Sequence, residues 1–200
     1  MKTGGALRPG FAALVLAAGA GSRFGGRKLL ATYQGAPLLH AALAAACAAP
    51  VAGITIVTGS DADAVGDAAR AFDPGLTLVH AADHAEGMAA SLRAGLASLG
   101  PEVEAVFVFL GDMPRVPHAV LGPLAEAVAA GAPAAAPVFG GRRGNPVVLS
   151  RALFDDVARL TGDVGARPIL QGLGARLALI EAPDDGVLFD VDQRADLRPA

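Results

Sequence analysis

Short apolar runs bounded by glycine alternate with helix-length segments along most of this chain, and that alternation restricts the fold more than any other feature. FAALVLA (11–17), GITIVTG (53–59), LTLVH (76–80), AVFVFLGDMP (105–114), AAAPVF (134–139) and RLALIEAP (176–183) read as strands. Between them PLLHAALAAACAA (37–49), DADAVGDAARAF (61–72), GMAASLRAGLASLG (87–100) and a stretch near 117–130 read as helices. Pro37 suits a first helical turn, and Asp61 stands where it can cap the helix after it. Strands and helices alternating at this length imply βαβ units. The expected fold is therefore α/β, with a mainly parallel sheet between helices on both faces.

The pattern changes after Phe139. GGRRGNPVVLS reads as a loop with an added strand and 151–160 as a short helix; the segment TGDVGARPILQGLG follows, and FDVDQRADL closes the chain. One domain over 11–197, with an accessory region at 140–197, is the economical division, and 200 residues suffice to bury a substantial core.

Composition excludes several classes. Hydrophobic residues make up 53% of the chain, yet no apolar run approaches the roughly 18–20 residues that span a bilayer. The residues before Phe11 carry a Lys with no apolar stretch behind it, so no signal peptide is read. The single cysteine excludes an internal disulfide framework and fits a reducing cytoplasm. Cys47 lies in the apolar HAALAAACAA, which predicts a buried, inert thiol. A net charge of −3 argues against a nucleic-acid surface, and 4% aromatics with no Trp argue against base-stacking platforms. The four histidines (40, 80, 84, 118) show no metal-ligand spacing, and His118 reads as a helix-start residue.

A small anionic ligand fits all of this, and LAAGAGSRFGGRKLL (16–30) is the segment shaped to hold one. A dinucleotide-binding G-x-G-x-x-G would need glycine where Phe24 stands, and the acidic residue expected after the second strand is absent. A Walker A loop fails as well, because Arg27 separates Gly26 from Lys28 and Leu29 replaces the magnesium-binding hydroxyl. The pattern L-A-A-G-x-G-x-R-x-G-x-x-K matches at every fixed position. Its glycines let backbone N–H groups approach phosphate oxygens, Arg23 can fork onto two of them, and Lys28 adds a point charge.

That loop, GDMP at 111–114, GNP at 144–146, GDVGAR at 162–167 and VDQRADL at 191–197 occur in one order. Together they resemble the MobA-like NTP-transferase family, and within it the molybdenum cofactor cytidylyltransferases. The resemblance runs from about Phe11 to Leu197. It implies a three-layer Rossmann-like fold of the nucleotide-diphospho-sugar transferase type, with nucleotide binding in 11–139 and acceptor binding in 140–197. It also implies a magnesium-dependent enzyme, manganese being possible, that moves CMP from CTP onto the terminal phosphate of a molybdopterin-type cofactor. A recipient molybdoenzyme would be the partner.

Residue by residue, the resemblance assigns nucleotide binding to Leu16, Ala17, Ala18, Gly19, Gly21 and Ser22, and to Arg23, Lys28, Gly87, Ser91 and Asp112. Glu86 opens the same base-recognition segment, EGMAAS. Arg23, Lys28 and Asp112 would be catalytic. Asp112 would ligate the metal with Asp192, and Asp190 is the reserve. Gly144, Asn145, Pro146, Asp163 and Arg167 would face the acceptor. Arg142 and Arg143 could meet an acceptor phosphate, although paired arginines in a loop are more often solvated surface. LAAG and RKLL, where guanylyltransferase relatives carry L-A-G-G and a D-K pair, imply CTP rather than GTP. Other readings stay open: a guanylyltransferase, a nucleotidyltransferase with another phosphorylated acceptor, a non-catalytic cofactor-delivery chaperone, or a nicotinamide oxidoreductase.

Overall fold

The computed structural model describes residues 7–198. The first six residues, part of the segment over which no signal peptide is read, lie outside them. Strands β1 (Arg8–Ala17), β4 (Val51–Thr58), β5 (Thr77–His80) and β6 (Ala105–Leu110) form the parallel centre of the sheet. The remaining strands are β7 (Ala134–Phe139), β8 (Arg142–Arg143), β9 (Val147–Ser150) and β10 (Leu177–Glu181). The order across the sheet is β10-β7-β9-β6-β1-β4-β5, with β8 paired to β7. Strand β9 runs antiparallel to both neighbours, in register Val108↔Val147 with β6 and Ala135↔Val148 with β7. The result is a Rossmann-like sheet that is mainly parallel.

Both faces are covered, which explains why FAALVLA is apolar throughout rather than alternating. Helices α1 (Leu38–Ala48), α2 (Ala62–Phe72) and α4 (Leu121–Ala129) pack on one face, against Ala13, Val15, Phe107 and Phe109. Helices α3 (Met88–Ala97), α5 (Phe154–Ala158) and α6 (Arg167–Leu173) cover the other, against Leu14, Leu16, Val106 and Val108. Helix α3 lies close to the sheet because Gly95 faces Leu14 and Val57; a Cβ there would come within 2.8 Å of Leu14. Among the described residues no helix is long and apolar enough to cross a membrane.

Several local expectations are corrected. Pro37 precedes α1 and belongs to β3 (Ala36–Pro37), which pairs with β2 (Thr32–Tyr33) in an unanticipated hairpin. Asp61 holds the N-cap position of α2 without a side-chain capping bond, its carboxylate standing 4.0 Å from Arg27 Nε instead. Cys47 is exposed. Helix α1 is alanine-rich all round, so hydrophobicity does not mark its buried face. The helix near 117–130 divides into a 3-10 turn (His118–Val120) and α4, which leaves His118 exposed at the helix start as expected. Part of TGDVGARPILQGLG is the helix α6.

Gly144 makes a tight backbone contact beside the site. A Cβ there would fall 2.2 Å from the Val187 carbonyl oxygen, which accepts the Asn145 N–H at 2.9 Å. Gly144→Ala should therefore destabilise the fold by about 2 kcal/mol, a drop of roughly 4–8 °C in Tm. Gly172, in α6 with open space around it, is the contrast: Gly172→Ala should be neutral or stabilising by about 0.5 kcal/mol. Thermal melts of the two variants check both.

Candidate active site

Open α/β sheets bind ligands beyond the carboxyl ends of their strands, where strand order reverses. The end of β1 is such a point, since β4 lies on one side of it and β6 on the other. The chain leaves β1 through a loop whose left-handed Gly21, Gly25 and Gly26 (φ 58°, 92° and 89°) fold it back on itself. The N–H groups of Phe24 and Gly26 both donate to the Gly21 carbonyl, at 3.0 and 3.1 Å. That compact turn brings Lys28 back over the strand ends.

A cleft of about 570 Å³ opens there. Leu16, Ala17, Ala18, Gly19, Gly21 and Ser22 line it from the first loop. Lys28, Glu86, Gly87, Ser91 and Asp112 line it from the surrounding elements. Ser91 is buried in α3 yet borders the cleft, and Ala18 is buried with its methyl against Gly59. Arg23 and Asp192 stand apart, at the mouth, where Arg23 Nη1 lies 3.9 Å from Asp192 Oδ2.

Lys28 is the electrostatic centre. Its ammonium donates to Asp112 Oδ2 at 2.6 Å and lies 3.9 Å from Asp192 Oδ1. Asp112 follows β6 at a turn where Gly111 N–H donates to the Leu16 carbonyl at 2.9 Å, so the carboxylate is set against the first loop. The Val191 N–H donates to the Asp112 carbonyl at 3.0 Å, which brings Asp190 and Asp192 beside it. Loss of hydration pushes the Asp190 carboxyl above its ordinary value, and the charges of Asp192 and Asp112 push it further. Among the described residues no three His, Cys, Asp or Glu side chains gather to cage a metal. A divalent cation here would take one or two carboxylates and fill its shell with substrate oxygens and water, as magnesium does. Asp112 and Asp192, already sharing one cation in Lys28, fit that demand.

A second cavity, of about 320 Å³, adjoins the first and shares Leu16, Met88, Leu110 and Asp163 with it. Gly144, Asn145, Asp163 and Arg167 line this second space, whereas Pro146 is buried without lining it. Asp163 sits on the partition: its Oδ1 accepts the Met88 N–H at 3.3 Å, at the start of α3. The fit is close, because a Cβ on Gly87 (φ 114°) would fall 2.6 Å from the Gly162 carbonyl carbon.

Sequence reasoning missed Ser60 and His84, and it left Arg143 undivided from Arg142. Arg143 lines the second cavity while Arg142 is exposed. Neighbours on a strand face opposite ways, so only the pairing of β8 with β7 tells them apart. Ser60 and His84 border the nucleotide-sized cleft; neither belongs to a motif, and His84 was weighed only as a metal ligand.

Fold and site together describe a nucleotidyltransferase. A sequence model of the MobA-like NTP transferase domain matches residues 13–179, and the chain belongs to that family. No curated protein sequence matches it. Among solved structures, Rv0371c from Mycobacterium tuberculosis H37Rv is 31% identical, with a TM-score of 0.84 over 94% of this chain and 95% of that one. A complex of Rv0371c with manganese is 28% identical, with a TM-score of 0.74 over 86% of this chain and 88% of that one. Mth528, a nucleotidyl transferase from Methanothermobacter thermautotroptrophicus, is 27% identical, with a TM-score of 0.77 over 93% of each chain.

Lys28 and a metal ion would compete for the same carboxylates. Lys28→Met should lower the Tm in chelator, because Asp112 loses its closest counter-charge. Added Mn²⁺ should then raise the variant's Tm by more than the wild type's, as measured by parallel melts with and without metal.

Proposed function

We propose that this protein is a cytoplasmic cytidylyltransferase, dependent on Mg²⁺ or Mn²⁺, that joins CMP from CTP to the terminal phosphate of a molybdopterin-type cofactor. The observation that carries the reading is the pair of adjoining cavities with a common wall at Leu16, Met88, Leu110 and Asp163. One holds a nucleoside triphosphate and the other a phosphorylated acceptor, with both phosphates meeting at the partition.

In this reading an acceptor phosphate oxygen attacks the α-phosphorus of CTP, forming the new P–O bond as the bond to pyrophosphate breaks. The acceptor is itself the nucleophile, so no protein nucleophile is required. Such transfers depend mainly on positioning and charge neutralisation. The backbone from Gly19 to Ser22 cradles the triphosphate, and Arg23 swings from Asp192 onto phosphate oxygens. Lys28 moves its charge from Asp112 to the phosphates. Asp112 and Asp192 hold the divalent cation, which when bound neutralises charge on the reacting and departing phosphates. Gly144, Asn145 and Arg167 orient the acceptor, and the apolar wall at Leu92, Val108, Val147 and Leu170 receives its uncharged body. The product would pass to a recipient molybdoenzyme. LAAG and RKLL support CTP over GTP.

Pyrophosphate release with each of the four NTPs, with and without molybdenum cofactor, tests the whole assignment. Release is expected with CTP and the cofactor together. Preference for GTP would overturn the cytidylyl reading, activity with another phosphorylated acceptor alone would overturn the cofactor, and binding without turnover would favour a delivery chaperone.

Asp112→Asn should reduce turnover by at least about a thousandfold with the fold intact, although the melting temperature falls because Lys28 loses its closest counter-charge. Single-turnover kinetics at saturating metal give the comparison. Arg23→Lys should recover little of what Arg23→Ala loses, because a forked contact is not replaced by a point charge.

A further inference from the structure

His84 opens a short 3-10 turn (His84–Glu86) between β5 and α3 and borders the nucleotide cleft. Its Nδ1 lies 3.0 Å from the Ala81 carbonyl oxygen. A carbonyl oxygen can only accept, so Nδ1 carries the proton, and the neutral ring is left with Nε2 as an acceptor. Two packing contacts hold the ring. A Cβ on Gly59 would fall 2.8 Å from its Cγ, and the His80 ring is tilted against it with centroids 5.9 Å apart.

The position of His84 along the cleft matters as much as its tautomer. Lys28 and Asp112 mark the end of the cleft beyond β6. Sheet order then runs β6-β1-β4-β5. Neighbouring strands lie roughly 4.8 Å apart, so Gly59, just past β4, is displaced about 10 Å across the sheet from the Asp112 side. A nucleotide with its α-phosphate near Asp112 would extend its base toward that far end, where His84 packs.

We infer that His84 reads the base, its Nε2 accepting a hydrogen bond from the exocyclic amino group of cytosine. Uracil has a carbonyl at that position and would set an oxygen lone pair against the nitrogen lone pair. His84 thereby selects CTP over UTP, a choice that the size of the pocket cannot make between two pyrimidines. The inference rests on the reading of the cleft as a CTP site.

The test is calorimetric binding of CTP, UTP and GTP with Mg²⁺ at mildly alkaline pH, in wild type and in His84→Phe. No acceptor is needed. Wild type should bind CTP at least about tenfold tighter than UTP. In His84→Phe, which keeps a ring against Gly59, that ratio should fall toward one, mainly through loss of CTP affinity. In wild type, nitrogen NMR should report His84 as the Nδ1–H tautomer, with Nε2 shifting on addition of CTP but not of UTP. That measurement stands whether or not the variant folds. Equal binding of CTP and UTP by wild type, an unchanged ratio in folded His84→Phe, or an Nε2–H tautomer overturns the inference and leaves the cytidylyl reading intact. Preference of wild type for GTP over both pyrimidines overturns both.

Discussion

The ion pair between Lys28 and Asp112, 2.6 Å long and largely shielded from solvent, is the contact on which the site depends. It joins the end of the glycine loop to the end of β6, two segments 84 residues apart in the chain. Partly buried charges keep their strength only while paired, because each has given up much of its hydration. In the proposed reaction, a polyanion and a metal would replace that internal pair with two external ones: phosphate for the ammonium and metal for the carboxylate. The ion pair thus holds the site together before substrate arrives, at no cost in lasting neutralisation.

A small apolar cluster holds the same segments from beneath. Phe24, Tyr33, Leu38 and Val191 form it, with Phe189 and Leu197 packed alongside. Phe24 follows Arg23 and Val191 precedes Asp192, so the residues at the mouth of the cleft are anchored through their immediate neighbours. Arg115 adds a clasp: its guanidinium stacks 3.8 Å above Phe189, and its Nε donates to the Tyr33 hydroxyl at 3.3 Å. The phenylalanine that spoils a dinucleotide fingerprint is therefore the residue that ties the glycine loop to the tail.

Strand and helix positions were legible because both faces of the sheet are covered, which writes strands as unbroken apolar runs such as AVFVFL. The glycine loop was legible because its motif places particular residues at fixed spacing, among them Gly21 and Gly25 with left-handed backbone. Legibility stopped where partners come from distant segments. Nothing local to Cys47 says which side of an alanine-rich helix it occupies. Arg142 and Arg143 are equivalent until β8 pairs with β7. His84 gains its orientation from the Ala81 carbonyl, from Gly59 and from the His80 ring, and Asp61 turned from capping toward Arg27. Asp190 and Asp192 needed the Val191–Asp112 hydrogen bond to come beside β6.

The antiparallel strand β9 has a consequence for the order in which the molecule can assemble. Among the described residues strand β7 pairs only with β8, β9 and β10, all later in the chain, and β6 has β9 as its outer neighbour. During synthesis β6 therefore presents a bare apolar edge, and β7 has only the two-residue β8 to pair with, until residues 147–150 emerge. Pairing of β6 with β9 spans some forty residues, which must be closed into a loop before the sheet reaches its full width. Such an exposed edge is open to pairing with another nascent copy. The strand that seals it also carries the GNP turn at its entrance, so the event that removes the aggregation-prone edge also sets one wall of the second cavity, which the segment 163–170 closes afterwards.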